Sequence, residues 1–260
     1  MIFMIAGSFF AMLAFAQQKE GKVIYERNMQ MQIRINDNAE MDHAIPRTRK
    51  DKFELTFGNN QSLWKHGEEE IDNNEGGGGG MQIRMMGPGM DDVVFYDFTA
   101  ARRVDQRELF DKKFIIEDTI AKLSWKLTDE TKTILGHVCR QAITSRVGRR
   151  MQMNMDNGKM ERKEVTDTTP IVAWFTTDIP VSAGPEVQGQ LPGLILELDL
   201  AKGRSTYKAL EISPKADLSS IKAPTKGKKV TSAEFRAETA KMMEEMQKNN
   251  QGGNTRIIMR

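Results

Sequence analysis

The chain has 260 residues, a net charge of +2, 39% hydrophobic residues and 28% charged residues. That hydrophobic content supports a buried core and excludes a disordered chain. The near-neutral balance argues against a nucleic-acid partner, which requires a basic stripe. The basic pairs here, Arg102 with Arg103, Arg149 with Arg150 and Lys228 with Lys229, are scattered and read as solvated surface.

Residues 1–16 carry no charge and end in Ala14, Phe15 and Ala16 ahead of Gln17. This is the apolar region and small-x-small ending of a secretory signal peptide, although no basic residue precedes it. The run is too short for a membrane helix of about 20 apolar residues. The expectation is cleavage near Ala16. Residues 17–260 then form a single β-rich domain with no transmembrane segment, in the periplasm or outside the cell. Cys139 is the only cysteine, so no internal disulfide is possible. Its setting, GHVCRQAITSR, reads as a strand with a buried small hydrophobe.

GKVIYERNMQMQIRI places Val23, Tyr25, Met29, Met31, Ile33 and Ile35 on one parity, interrupted by Arg27. A period of two predicts a long strand with one buried face. KFELTF repeats the pattern with Phe53, Leu55 and Phe57, and SLWK suggests a short strand. Residues 73–92, with five consecutive glycines at 76–80, predict a flexible Gly-rich loop. No Gly-Lys-Ser/Thr follows the glycines, so the phosphate-loop pattern is absent.

Strand patterns resume in VVFYDF, KKFIIED, KLSWKLTD and GHVCRQAITSRV. RRMQMNMDNGKM follows, with DNG as a hairpin turn. PIVAWFTTD carries Val172 and Trp174; LILELDL puts Leu194, Leu196, Leu198 and Leu200 on one face; STYKALEI closes the series. The links are too short for crossover helices, so the sheet should be antiparallel. Near the end, Thr231 and Glu234 form a capping box ahead of FRAETAKMMEEMQKN, whose Phe235, Thr239, Met242 and Met246 follow helical spacing. The fold class expected is mainly β: a curled antiparallel sheet, half-barrel or barrel-like, with a C-terminal helix packed on it.

In GQLPGLILEL, Pro192 and Gly193 suit the central positions of a type II turn leading into a leucine-faced strand. No Ser, Cys or Asp stands at its apex, which excludes a nucleophile elbow. The stretch AWFTTDIPVSAGPEVQGQLPGLILEL resembles the signature of the GLPGLI family, exported proteins found mainly in Bacteroidota. Trp174, Ile179, Pro180, Gly184, Pro185, Leu191, Pro192, Gly193, Leu194 and Ile195 carry the likeness, with Gln190 in place of the first glycine. GKVIYE and KLSWKLTDETKTILGHVCRQA add to it. The resemblance spans roughly residues 21 to 240 and implies a β-rich envelope protein, with these motif residues structural and no enzymatic role established.

His43, His66 and His137 form no HxH or HExxH pattern, and a structural zinc site would need clustered Cys and His. Asp91, Asp92 and Asp97 lack calcium-loop spacing and read as surface charge. Methionine is abundant, at 18 residues. Met151, Met153 and Met155 share a parity in a predicted strand, where methionine fills an adaptable core. As thioethers they are also the candidate ligands for Cu(I), although no metal is expected. No catalytic residue and no cofactor is expected. The leading functional expectation is a non-enzymatic envelope protein that binds an apolar ligand or a partner protein in the concavity of its sheet. The alternatives are Cu(I) binding through methionines, a hydrolytic enzyme, and a purely structural or interaction role. Convergence of titratable groups in one pocket would favour an enzyme; a filled interior would argue against a ligand.

Overall fold

The structure, a computed structural model, describes residues 18–30, 48–67, 92–109, 112–156 and 159–251. The side chains of 149–164, 243, 244 and 246–251 are outside that description. So are residues 1–16, expected to be a signal peptide, the part of the first expected strand beyond Gln30 and all of the expected Gly-rich loop except Asp92.

Twelve strands join one sheet: β1 (Gly21–Gln30), β2 (Thr48–Gly58), β3 (Gln61–His66), β4 (Val93–Asp97), β5 (Arg102–Leu109), β6 (Lys112–Thr119), β7 (Lys126–Ile134), β8 (His137–Asp156), β9 (Lys159–Thr176), β10 (Leu194–Leu200), β11 (Ser205–Ser213) and β12 (Lys228–Val230). Their order across the sheet is β12-β6-β5-β4-β3-β2-β1-β11-β10-β9-β8-β7. The sheet curls without closing into a barrel. Twist accumulated over twelve strands curls an open sheet of this width. Every pairing is antiparallel except β12 with β6, which is parallel. That departs from the all-antiparallel expectation, and the segment after β11 has the length needed to bring β12 round.

Two features were not foreseen. β5, RRVDQREL, is polar on both parities and shows no apolar alternation, yet pairs along its length with β4 and β6. GHVCRQAITSRV and RRMQMNM are one strand of 20 residues, β8. Asp156 on β8 faces Lys159 on β9, as the expected DNG hairpin requires; Asn157 and Gly158 lie outside the described residues. Met151, Met153 and Met155 have backbone partners Glu164, Arg162 and Met160 on β9. Their thioethers are among the side chains not described.

Tight turns set the register. Asn59 (φ 53°) and Asn60 (φ 58°) join β2 to β3 with the two positive dihedrals of a type I′ turn. The core lies on the concave face. Val23 and Tyr25 from β1, Leu55 and Phe57 from β2, Ile171, Ala173 and Phe175 from β9, and Leu194, Leu196 and Leu198 from β10 are all buried. On β9 the buried parity is therefore Ile171, Ala173 and Phe175, with Val172 and Trp174 only partly covered. Trp174 instead packs under Lys132, whose Nζ is 4.2 Å from the ring centre. A bulge between Ile195 and Glu197 inserts Leu196 against β9, so that Leu194, Ile195 and Leu196 are buried in succession. Cys139 is fully buried, and burial pushes its thiol up to about 11.

A smaller apolar cluster, Leu63, Phe95, Val104, Ile115 and Ile221, sits on the opposite face of β3–β6. Helix α1 (Ser232–Gln251) follows β12. The capping box forms: the Glu234 N–H donates to Thr231 Oγ1 at 3.2 Å, and the Thr231 N–H donates to Glu234 Oε2 at 2.7 Å. Phe235 meets Phe114 edge-on at 5.4 Å, and Ser232 Oγ donates to Asp118 at 3.0 Å.

Candidate functional site

The motif segment between β9 and β10 fills the apolar end of the concavity. Ile179, Ala183, Val187 and Leu191 are buried in the main core. The segment is sewn to the next strand: the Leu194 N–H donates to Ile179 O and the Ile195 N–H to Ala183 O, both at 3.0 Å. Tyr25 crosses the interior to donate its hydroxyl to Ile195 O at 2.6 Å. Gln190 Oε1 accepts from the Leu123 N–H at 2.8 Å and from Trp125 Nε1 at 3.1 Å. Gln190 thus pins this plug to the β6–β7 link.

The turn at Pro192 and Gly193 corrects the type II expectation. Gly193 does not have a positive φ. A Cβ there would lie 2.0 Å from Thr176 O, so glycine is required by close backbone approach. The positive dihedrals of this segment fall on Gly184 (φ 154°), Glu186 (φ 57°) and Gly189 (φ 77°) instead. At Gly184 a Cβ would also meet the Ile195 side chain at 2.6 Å. Pro180 and Pro185 bound the same plug, and Pro185 O accepts from the Val187 N–H at 2.6 Å. Of the motif residues, Ile179, Gly184, Pro185, Leu191, Gly193, Leu194 and Ile195 are buried, Trp174 is partly covered, and Pro180 and Pro192 are exposed.

Strand register builds a polar site at the other end of the same face. Side chains two apart on a strand share a face, so the apolar series of β1 and β2 continues outward into Arg27, Asp51 and Arg49. Tyr25 faces Phe53 and Phe53 faces His66 across β1–β2–β3. Trp64 faces Val94, and Val94 faces Asp105. Tyr96 faces Arg103, and Tyr207 on β11 faces Arg27. Of these, Arg27, Arg49, Phe53, His66, Trp64, Val94, Tyr96, Arg103 and Tyr207 join Asp92, Arg107, Glu186 and Gln188 to wall a cavity of about 130 Å³, with Asp51 and Asp105 behind the wall.

The charges in this cavity and just behind it balance. Asp51, only 3% exposed, accepts from Arg27 Nη2 at 2.6 Å and from Arg49 Nε at 2.7 Å. Asp105 accepts two bonds from Arg103, both at 2.6 Å, and one from Arg107 at 3.2 Å. Arg107 also pairs with Asp92. Glu186 accepts from the Tyr207 hydroxyl at 2.8 Å and sits at φ 57°, a left-handed backbone that costs a non-glycine residue about 1 kcal/mol. Burial works against the charge on Asp51, but the hydrogen bonds from Arg27 and Arg49 outweigh it and hold the carboxyl below its usual range. At Asp92 burial dominates and lifts the carboxyl, against the pull of Arg107. Burial also pushes Tyr96 up to about 12.

Among the described residues two buried side-chain atoms lack a hydrogen-bond partner, Asn28 Oδ1 and His66 Nε2, and the second belongs to this cavity's wall. His66 Nδ1 lies 3.0 Å from Gly67 O, which makes it the donor nitrogen. Its Nε2 is buried without a hydrogen-bond partner, 4.0 Å from Asp51 Oδ1. In the neutral ring Nε2 is then an acceptor that a donor beside it would satisfy, while Asp51 Oδ1 already accepts from Arg49. Aromatic faces flank the place: Phe53 stacks on Trp64 at 5.1 Å, and Arg27 lies 4.8 Å over the Phe53 ring.

The sequence marked none of these residues as functional. Arg103 was taken for surface charge and Asp92 likewise; both are half-buried in the site. The available signals were the break that Arg27 makes in an apolar parity and the repeated Arg-x-Asp at 49–51 and 103–105. On a strand that spacing puts an arginine and its carboxylate on one face. Among the described residues no group of three or more His, Cys, Asp or Glu could hold a metal ion. No described helix is long and apolar enough to cross a membrane.

A family model described as "Protein of unknown function (Porph_ging)" matches residues 125–197. That stretch runs from β7 to the first half of β10 and contains the plug, with Glu186 and Gln188. The arginines, Asp51 and His66 lie outside it. Two solved structures of PNGF-II are similar in fold, each with a TM-score of 0.51, at 17% and 18% identity. The matches cover 84% of this chain and 32% of those chains, so the chain spans a minor part of the proteins it resembles. No curated protein matches in sequence.

Proposed function

We propose that this is an exported envelope protein of the GLPGLI type. It binds a small, neutral, hydroxyl-bearing molecule, such as a polyol or one sugar ring, in the polar cavity. The observation that carries the reading is the unpartnered His66 Nε2 facing Asp51 inside a charge-balanced, aromatic-walled cavity. A hydroxyl donates to one atom and accepts from another, which suits a site that needs a donor beside His66 and offers spare guanidinium N–H groups. Four arginines oppose Asp51, Asp92, Asp105 and Glu186, so an ionic ligand gains little net attraction. The apolar ligand first expected for the concavity finds its deep end filled by Ile179, Val187 and Leu191.

The reading is of a binder and not a catalyst. Each of the four carboxylates is committed to an arginine or to Tyr207. The experiment uses protein recovered from the native cell envelope, expected to begin at Gln17, titrated calorimetrically with neutral sugars and polyols and with their anionic counterparts. Neutral compounds should bind in the millimolar range or better, and His66→Phe should weaken them about tenfold, the worth of one good hydrogen bond. Tighter binding of carboxylates or phosphates would refute the neutral-ligand reading.

A further inference from the structure

A second cavity, of about 400 Å³, adjoins the polar one and shares Asp92, Arg103 and Arg107 with it. It lies between β5, β6 and helix α1. Leu109, Ile116, Phe235 and Thr239 line it, with Asp105, Glu108, Asp118, Ser232 and Arg236 around them. Leu109 and Ile116 are 6% and 8% exposed, buried under the helix and facing this space. The polar cavity alone is smaller than the roughly 300–1,000 Å³ of small-molecule sites, and the apolar one falls inside that range.

We infer that the two cavities form one cleft for an amphipathic ligand: a hydroxylated head beside His66 and Trp64, and a short hydrocarbon tail between Ile116 and Phe235 under α1. This rests on the proposed reading of the polar cavity. Charged side chains ring this space, but most of the surface that faces it is apolar, so a hydrocarbon chain displaces water from it favourably. The head cannot be apolar, because it would leave His66 Nε2 and the guanidinium donors unpaired. The tail cannot be charged without losing water against Leu109 and Phe235. The Arg103–Asp105–Arg107–Asp92 ladder lies at the junction, where a glycosidic or ester oxygen would meet N–H donors.

The test is isothermal calorimetry with methyl, butyl and octyl β-D-glucoside, the last below its micelle concentration. Affinity should rise at least tenfold from methyl to octyl. Thr239→Trp, which places an indole in the tail cavity, should reduce that ratio to near one; Thr239→Phe is the milder block if the first variant does not fold. A flat wild-type series overturns the tail assignment while leaving the polar site standing. A ratio that survives both substitutions overturns it as well, because the chain would then bind elsewhere. If no glucoside binds the wild type, the reading of the polar cavity falls, and the inference with it.

Discussion

Asp51 joins the residue scale to stability most directly. It is nearly inaccessible, and two guanidinium groups on different strands converge on it, Arg27 from β1 and Arg49 two positions back on β2. Removing one partner of such a pair leaves the others buried without compensation. Its carboxyl is held below the ordinary value of 3.8, so the folded state binds the proton less well than the unfolded state. The stability it contributes is therefore complete above that value and is lost as pH falls through the folded pKa. Asp51→Asn should cost about 3 kcal/mol at pH 7 in urea unfolding. The gap to wild type should close as the pH is taken below 3.8. A gap that stays constant across that range would show that the carboxylate charge is not what holds β1 to β2 at this point.

At the scale of elements, the plug between β9 and β10 is the part whose sequence logic is clearest. Gly193 tests it. The 2.0 Å approach to Thr176 O is to backbone, which cannot rotate away, so Gly193→Ala must displace the plug from β9. The expected loss is about 2–3 kcal/mol, the upper part of the overpacking range. Gly148→Ala on β8, where a Cβ meets nothing within 4 Å, should change stability by under about 0.5 kcal/mol. Equal denaturant midpoints for the two variants would contradict the close-approach account. The strands with an apolar parity, β1, β2, β10 and β11, were legible in the sequence, as was the capped helix. β5 was not, because its inward series is Arg103, Asp105 and Arg107, and charge on both faces looks like a loop. The site was missed for the same reason: it is built where inward-facing positions stop being apolar. Pairing of Arg27 with Asp51, 24 residues apart, is fixed by register, and register is not written in either segment alone.

The whole molecule combines a closed half and an open half on one curled face. The closed half has the plug, with Tyr25 tying β1 to the start of β10. The open half has the cleft, covered by a helix whose described ties are the Phe235–Phe114 contact and the Ser232–Asp118 bond. This division predicts how the protein opens. The plug lacks regular strand structure, yet its amides are internally satisfied: Val181 to Ile179 at 2.8 Å, Ala183 to Val181 at 2.7 Å and Gly189 to Ser182 at 2.6 Å. Ala183 and its neighbours Ile179, Val187 and Leu191 are almost fully buried, while Val181 is half-buried and Gly189 exposed. The buried amides can exchange only when β10 separates from the core, which is global unfolding. Among the described residues, helix α1 lifts from β6 by losing one aromatic contact and one exposed hydrogen bond. Hydrogen–deuterium exchange should therefore show the Ala183, Leu194 and Ile195 amides protected as strongly as β10 and β1. Residues 232–242 should exchange orders of magnitude faster, through local opening. The order decides the point: if the plug exchanges at the rate of the helix, it is an ordinary surface loop, and the closed half of the molecule is not closed.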